Sequence, residues 1–146
     1  MPEAVVCPEV RVRYAETDRM GYAYYANFLV WFEVGRNEWM RAQGLPYSEV
    51  EAAGCILPVI SASVTYMKPA FYDDLLSIRT WVPERGRARL RFAYEVVRGG
   101  DLLVTGATEH ACTGADGRVR RLPPSLVRVV DGAASDGPST GGGGRP

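Results

Sequence analysis

A single carboxylate, Asp18, lies in a turn directly before an apolar-patterned helical segment. Residues 13–27 read Arg-Tyr-Ala-Glu-Thr-Asp-Arg-Met-Gly-Tyr-Ala-Tyr-Tyr-Ala-Asn, and nowhere else do an acid, a glycine, clustered tyrosines and a helix start occur together. A carboxylate here can attack a carbonyl carbon or deprotonate a water that attacks it. The unpaired N–H groups of the helix start can stabilise the oxyanion that forms. The segment therefore permits acyl transfer to water.

Structural interpretations of the same acids stay open on spacing alone. Asp between Thr and Gly commonly caps a turn, and Asp18 is placed to do so. Glu33, in the following helix, could be a second acid, but a helical glutamate near Arg36 and Asn37 is also typical of a paired surface residue.

The sole histidine, His110, argues against several other chemistries. It has no second histidine and no suitably spaced cysteine pair to complete a metal site. We expect it to be a packed or surface strand residue. The chain also lacks a Gly-x-Ser-x-Gly elbow, a P-loop and a dinucleotide glycine pattern. Serine chemistry, metal hydrolysis and hydride transfer are disfavoured, and we expect neither metal nor cofactor.

Composition narrows the class further. The chain has 146 residues, and its 17 basic side chains balance 17 acidic ones, which disfavours nucleic acid as a partner. No segment approaches the roughly 20 apolar residues of a membrane span, and the N-terminus lacks a signal-peptide pattern. We expect a cytoplasmic protein in which Cys7, Cys55 and Cys112 are reduced packing residues.

The apolar pattern predicts one α+β domain over residues 1–130. A first strand covers Val10–Tyr14, a long helix runs from Asn27 to a stop at Gly44, and a short helix spans Pro46–Ala53. The wide apolar surface of the long helix predicts sheet on most of its sides. Four further strands, joined by short loops, predict an antiparallel meander: Ile56–Met67, Leu75–Val82, Ala88–Val97 and Leu102–Thr113.

Two further segments are distinctive. Pro124–Val130 is compatible with a closing helical turn, and residues 131–146, rich in glycine, are expected to be disordered. Arg85, Arg87, Arg89 and Arg91 form an alternating basic cluster. Guanidinium groups suit phosphates, but a solvated strand edge protected against aggregation explains the cluster equally well.

Residues 14–21, Tyr-Ala-Glu-Thr-Asp-Arg-Met-Gly, and residues 25–36, Tyr-Ala-Asn-Phe-Leu-Val-Trp-Phe-Glu-Val-Gly-Arg, resemble a known signature. It is that of the hotdog-fold acyl-CoA thioesterases of the 4-hydroxybenzoyl-CoA thioesterase and YbgC-like group. Residues 64–75 and Arg121-Leu-Pro extend the resemblance over about 10–130. It implies a long central helix wrapped by a five-stranded antiparallel sheet, in a homodimer or homotetramer with interfacial active sites.

The resemblance also implies site residues. Asp18 matches the catalytic carboxylate, nucleophile or general base, and the backbone N–H of Tyr25 matches a donor to the thioester carbonyl. Backbone near Ile56 and Leu57 matches a segment that the partner subunit places beside the thioester. Arg87 and Arg89 match basic residues that bind the nucleotide phosphates of coenzyme A. Tyr24, with its tyrosine neighbours, lines an aromatic acyl pocket or packs an interface.

One position departs from many relatives, which carry His where this chain has Tyr25. A phenol that titrates near 10 cannot replace imidazole as a base at neutral pH, so Asp18 must act largely alone. The predicted function is hydrolysis of an acyl-CoA thioester to a free acid and coenzyme A. The alternatives are an acyl-carrier-protein thioesterase and a non-catalytic acyl-CoA-binding module.

Overall fold

The structure, a computed structural model, describes residues 4–134. The predicted glycine-rich tail from 135 onward lies outside the described residues. A 3-10 turn at Tyr14–Glu16 precedes the first long helix. The helices are α1 (Asn27–Ala42), α2 (Tyr47–Ala52) and α3 (Pro124–Ala134), and the strands are β1 (Glu9–Arg11), β2 (Val59–Tyr66), β3 (Leu75–Arg85), β4 (Arg89–Arg98) and β5 (Asp101–Ala111). No described helix is long and apolar enough to cross a membrane.

The sheet has five antiparallel strands in the order β1-β3-β4-β5-β2. Only β3, β4 and β5 form the predicted meander. The prediction was wrong for β2, which crosses the sheet to pair with β5, with Tyr66 opposite Val104. The first strand takes the place beside β3 instead. This order leaves β1 and β2 as the two edges of the sheet.

Helix α1 packs one face on the sheet, which confirms the α+β class. The Phe32 ring stacks on Tyr94 of β4, with centroids 4.1 Å apart. Gly35 allows the close approach to β3, since a Cβ there would overlap the Thr80 hydroxyl and lie 3.1 Å from an Ile78 methyl. The buried residues of this helix are Phe28, Trp31, Phe32, Gly35, Trp39 and Met40.

The outer face of α1 is not covered within one chain, contrary to the expected sheet on most sides. Leu29 and Val30 are 41% and 58% exposed. Strand β2 is also uncovered, because Val64 alone among its residues is not exposed. Since one edge of this strand pairs with β5, its other edge is open in the isolated chain.

Three further predictions need correction. The first strand ends at Arg11, because the chain then forms a 3-10 turn. Helix α3 runs past the predicted boundary at 130 as far as Ala134, and Asp131 in it receives two hydrogen bonds from Arg85, of 2.7 and 2.8 Å. Cys7 is exposed instead of packed.

The other two cysteines are packing residues, as expected. Cys55 and Cys112 are free and buried, and their sulfur atoms lie 2.7 Å apart. Burial raises the pKa of Cys55 to about 12. This thiol therefore stays protonated at neutral pH and is a poor nucleophile.

Replacing Gly106 with Ala should lower the free energy of unfolding by about 1–3 kcal/mol, since overpacking a filled core forces its neighbours to shift. A Cβ there would lie 2.5 Å from two ring carbons of Phe32 and 2.8 Å from the Ser63 carbonyl oxygen. Denaturant unfolding at one protein concentration measures the effect. Gly100→Ala, which adds a Cβ with nothing within 4 Å, is the matched control. Equal stability of both variants would contradict the packing described for α1.

Candidate active site

Asp18 sits in a tight loop that its own side chain organises. Its Oδ1 accepts hydrogen bonds from the backbone N–H groups of Met20, at 2.9 Å, and Tyr22, at 3.2 Å. The Asp18 N–H donates to the Tyr22 carbonyl at 2.8 Å, and Gly21 supplies the positive φ of 83° that the turn requires. The turn-capping interpretation is therefore correct for one oxygen. The other, Oδ2, has no hydrogen-bond partner among the described residues.

The entrance of helix α1 faces the same loop. The Tyr24 N–H and the Asn27 side-chain amide both donate to the Glu16 carbonyl, at 2.7 and 2.8 Å, and tie the helix start to the segment before Asp18. The Tyr25 N–H donates to no acceptor within the described part of the chain. A free N–H at a helix start, where the macrodipole is positive, can bind a developing negative charge.

An apolar cavity of about 310 Å³ joins these two features. Both Asp18 and Tyr25 line it, together with residues from the end of β2 and the loop that follows. The Tyr66 hydroxyl donates to the Tyr25 carbonyl at 2.8 Å and so fixes the helix entrance from the sheet side. The lining comprises Asp18, Met20, Tyr22, Ala23, Tyr25, Phe28, Tyr66, Met67, Lys68, Pro69 and Ala70.

Tyr24 lies beside this cavity and is not among its lining residues. Its ring centroid is 4.7 Å from that of Tyr25. A hydrogen bond with the Tyr25 side chain, and to a smaller extent the negative charge of Asp18, raise the pKa of Tyr24. The Tyr24 phenol therefore stays protonated at neutral pH, and it can donate a hydrogen bond but cannot serve as a base.

The remaining predicted site residues lie at the opposite end of β2. Ile56 pairs with Thr113 through two backbone hydrogen bonds, of 2.8 and 3.0 Å. Leu57 lines a second cavity, of about 260 Å³, whose lining includes His110. The loop of Asp18 adjoins Tyr66, at the far end of this strand of eight residues. At about 3.3 Å per residue, the two ends are roughly 25 Å apart.

The two predicted phosphate-binding arginines lie at the Leu57 end. Arg89 opposes Ala111 at the start of β4, and its guanidinium lies 3.5 Å from the Glu109 carboxylate. Arg87 is exposed, and its side chain forms no ion pair within the described part of the chain. Of the two, Arg87 offers the less compensated positive charge to an anionic ligand.

His110 is a packed strand residue, as predicted. It is 2% exposed, and burial lowers its pKa. Glu33 is an exposed helix residue, 3.9 Å from Arg36, which matches the surface interpretation. Among residues 4–134 no group of three or more His, Cys, Asp or Glu side chains is placed to hold a metal ion.

Comparison with known proteins identifies the family. The model of the thioesterase-like superfamily matches residues 12–130. The chain belongs to this superfamily. The resemblance drawn from the Asp18 segment and the hotdog fold are thereby confirmed.

Individual members of the thioesterase-like superfamily agree. The acyl-CoA thioester hydrolase YbgC of Escherichia coli is 30% identical over 121 residues, 81% of this chain and 90% of the relative. The crystal structure of DHNA-CoA thioesterase from Staphylococcus aureus superposes with a TM-score of 0.85 and is 32% identical, covering 97% of this chain and 96% of that one. Both relatives are hydrolases of coenzyme A thioesters by name, and this chain is a hydrolase of the same superfamily.

Sequence reasoning missed part of the cavity lining. Tyr66, Met67 and Pro69 were noted only as part of the family resemblance and not as site residues. The sequence did contain a signal for these residues, because they lie in segment 64–75, the second segment that resembles the family. The sequence did not reveal that β2 crosses to the sheet edge. This crossing brings the end of the strand to the helix entrance.

The role of Asp18 in its loop predicts different costs for two substitutions. Asp18→Asn keeps an Oδ1 acceptor for the two backbone N–H groups and should change the free energy of unfolding by less than about 0.5 kcal/mol. Asp18→Ala removes that acceptor and should cost about 1 kcal/mol. Thermal unfolding of both variants beside wild type measures the difference. An equal loss in the two variants would contradict the hydrogen-bonding role of Oδ1.

Proposed function

We propose that this protein hydrolyses an acyl-CoA thioester to a free carboxylic acid and coenzyme A, with Asp18 as the reacting carboxylate. The observation that carries the proposal is the shared cavity. Asp18 and Tyr25 both line it, and among the described residues neither Asp18 Oδ2 nor the Tyr25 N–H has a hydrogen-bond partner. The names of the relatives support coenzyme A as the thiol.

Two routes use the same oxygen, Oδ2. As a general base, it takes a proton from water while the water oxygen attacks the thioester carbon. As a nucleophile, it attacks that carbon itself and forms an anhydride, which water then hydrolyses. In both routes the Tyr25 N–H stabilises the oxyanion, the C–S bond breaks, and the coenzyme A thiolate leaves.

We further propose that the active site is shared between two copies of the chain. Strand β2 is an exposed edge, and antiparallel pairing with its own copy would follow a twofold axis through its middle. That pairing brings the Leu57 end of one subunit beside the Asp18 end of the other, which roughly 25 Å separate within one chain. Arg87 and Arg89 lie at the Leu57 end of each subunit, so the same pairing places them near Asp18 of the other subunit, where they can bind the coenzyme A phosphates.

Two alternatives predict other outcomes. An acyl-carrier-protein thioesterase would leave free acyl-CoA intact and cleave the carrier-bound thioester. A non-catalytic module would bind acyl-CoA saturably without releasing thiol. The Asp18 Oδ2 and the Tyr25 N–H, both without a partner in the described part of the chain, favour hydrolysis over binding alone.

Asp18→Asn should lower kcat for the best acyl-CoA substrate by roughly 10²–10⁴-fold, the usual contribution of a positioned acid or base. Thiol release from short-chain, long-chain and aromatic acyl-CoAs, followed with a colorimetric trap, measures it. Since Asn keeps the loop hydrogen bonds, a loss of activity reports chemistry and not folding. Wild-type activity in the variant would remove Asp18 from the mechanism.

Ala62→Lys, in the middle of β2, should abolish the dimer and the activity together, since each lysine would meet its own copy near the twofold axis. Light scattering after size exclusion should give about twice the 16.0 kDa chain mass for wild type and the chain mass for the variant. Glu9→Lys, on the other edge strand β1, is the matched control and should remain dimeric. A dimer that survives Ala62→Lys with full activity would contradict pairing through β2.

A further inference from the structure

The peptide groups of Leu57 are held by side chains on both sides. Its N–H donates to the Tyr47 hydroxyl at 3.0 Å, and its carbonyl oxygen accepts a hydrogen bond from His110 Nδ1 at 2.9 Å. The flanking residues are held by the sheet instead, since Ile56 pairs with Thr113 and the Pro58 carbonyl accepts from the Ala111 N–H at 3.2 Å. Leu57 is thus fixed by side chains at both its N–H and its carbonyl.

His110 itself ends a buried chain of polar groups. Its Nε2 lies 2.8 Å from the Thr108 hydroxyl, which lies 2.7 Å from the Tyr94 hydroxyl. Arg36 of helix α1 donates to the Tyr94 oxygen at 3.5 Å. Thr108 and His110 are each 2% exposed, and Tyr94 is 1% exposed.

A neutral His110 fixes the arrangement of protons in this chain. A guanidinium can only donate, and a carbonyl oxygen can only accept. Burial lowers the pKa of His110 and favours the neutral ring, whose one proton must lie on Nδ1 to reach the Leu57 carbonyl. Its Nε2 then accepts from Thr108, Thr108 accepts from Tyr94, and the Tyr94 oxygen accepts from Arg36. Four consecutive hydrogen bonds thus connect helix α1 to this one backbone atom.

Local folding alone does not require this chain of hydrogen bonds to the Leu57 carbonyl. Leu57 precedes Pro58, which already biases it to an extended conformation. Moreover, buried polar side chains cost free energy unless every one is satisfied, and an apolar core residue at 110 would avoid that cost. The chain places three such side chains, Tyr94, Thr108 and His110, behind a single peptide group, and Arg36 connects them to helix α1.

We propose that Tyr47 and His110 are positioning residues of the active site, which hold the Leu57 peptide group against the thioester bound at Asp18 of the second copy. This inference rests on the proposed function. A group that is fixed before substrate binds costs no reorganisation in the transition state, so its loss should reduce kcat more than it raises KM.

The test is Tyr47→Phe, which removes one hydroxyl and keeps the ring. It should lower kcat for the best acyl-CoA roughly tenfold, the usual effect of one hydrogen bond, and change KM by less than about twofold. NMR of ¹⁵N-leucine-labelled protein should show amide exchange at Leu57 faster by about the same factor. Tyr72→Phe, at an exposed tyrosine that does not line the cavity, is the matched control.

Two variants of His110 separate the loss of its hydrogen bond to Leu57 from the loss of core packing. Asn places its side-chain nitrogen close to the Nδ1 position and can still donate to the Leu57 carbonyl, whereas Leu cannot. His110→Asn should retain kcat within about threefold of wild type, and His110→Leu should fall as Tyr47→Phe does. Equal losses in both His110 variants, or a kcat for Tyr47→Phe equal to that of Tyr72→Phe, would overturn the positioning role.

The exchange measurement separates this inference from the proposed function. If wild type releases no thiol from any acyl-CoA, the proposed function fails, and faster exchange at Leu57 in Tyr47→Phe still supports the hold on this peptide group. Unchanged exchange in that variant overturns the inference whatever the activity of wild type.

Discussion

Strand β2 separates the two groups of residues that the proposed function requires at one substrate. The Asp18 loop and the helix entrance adjoin its last residue, Tyr66, whereas Leu57 precedes its first. An extended strand of eight residues cannot shorten, so no motion within one chain brings these groups together. The same strand is an open edge with almost every side chain exposed. Both properties have one explanation if β2 pairs with its own copy.

The position of helix α1 depends on two glycines and one ring. Gly35 lets the helix approach β3, and Gly106 leaves room for Phe32 on the inner face of the sheet. The start and the middle of this helix contact the two halves of the proposed site. Its start presents the Tyr25 N–H to the cavity beside Asp18, and Arg36, in its middle, begins the hydrogen-bond chain that ends at Leu57. A shift of α1 on the sheet would therefore disturb both halves together.

The sequence predicted what local patterns determine. Gly44 marked the end of α1 closely, and the alternating segments became β2 to β5 with bounds shifted by a few residues. The errors concern long-range contacts. The crossing of β2 to β5 and the extension of α3 through the Arg85–Asp131 pair depend on residues far apart in sequence, which no local pattern reports.

In the candidate site, too, local features were predicted from the sequence and long-range contacts were not. Asp18 and Tyr25 were predicted from one continuous segment and do share a cavity. Tyr66 was missed as a site residue because its contact with Tyr25 needs the sheet topology. The placement of Leu57 and Arg87 at the end of β2 opposite to Asp18 became visible only with the fold. His110 looked like a packed strand residue and is one, yet only its neighbours reveal that it binds the Leu57 carbonyl.

Subunit complementation tests the shared active site most directly. Asp18→Asn should inactivate one half of each site, and Leu57→Arg, which blocks the segment before β2, should inactivate the other half. Each homodimer should be inactive in thiol release. When the two chains are coexpressed and pair at random, half of the dimers contain one site with both halves intact, and activity should return to about one quarter of the wild-type value. Mixed dimers that form and remain inactive would contradict an active site built from two copies.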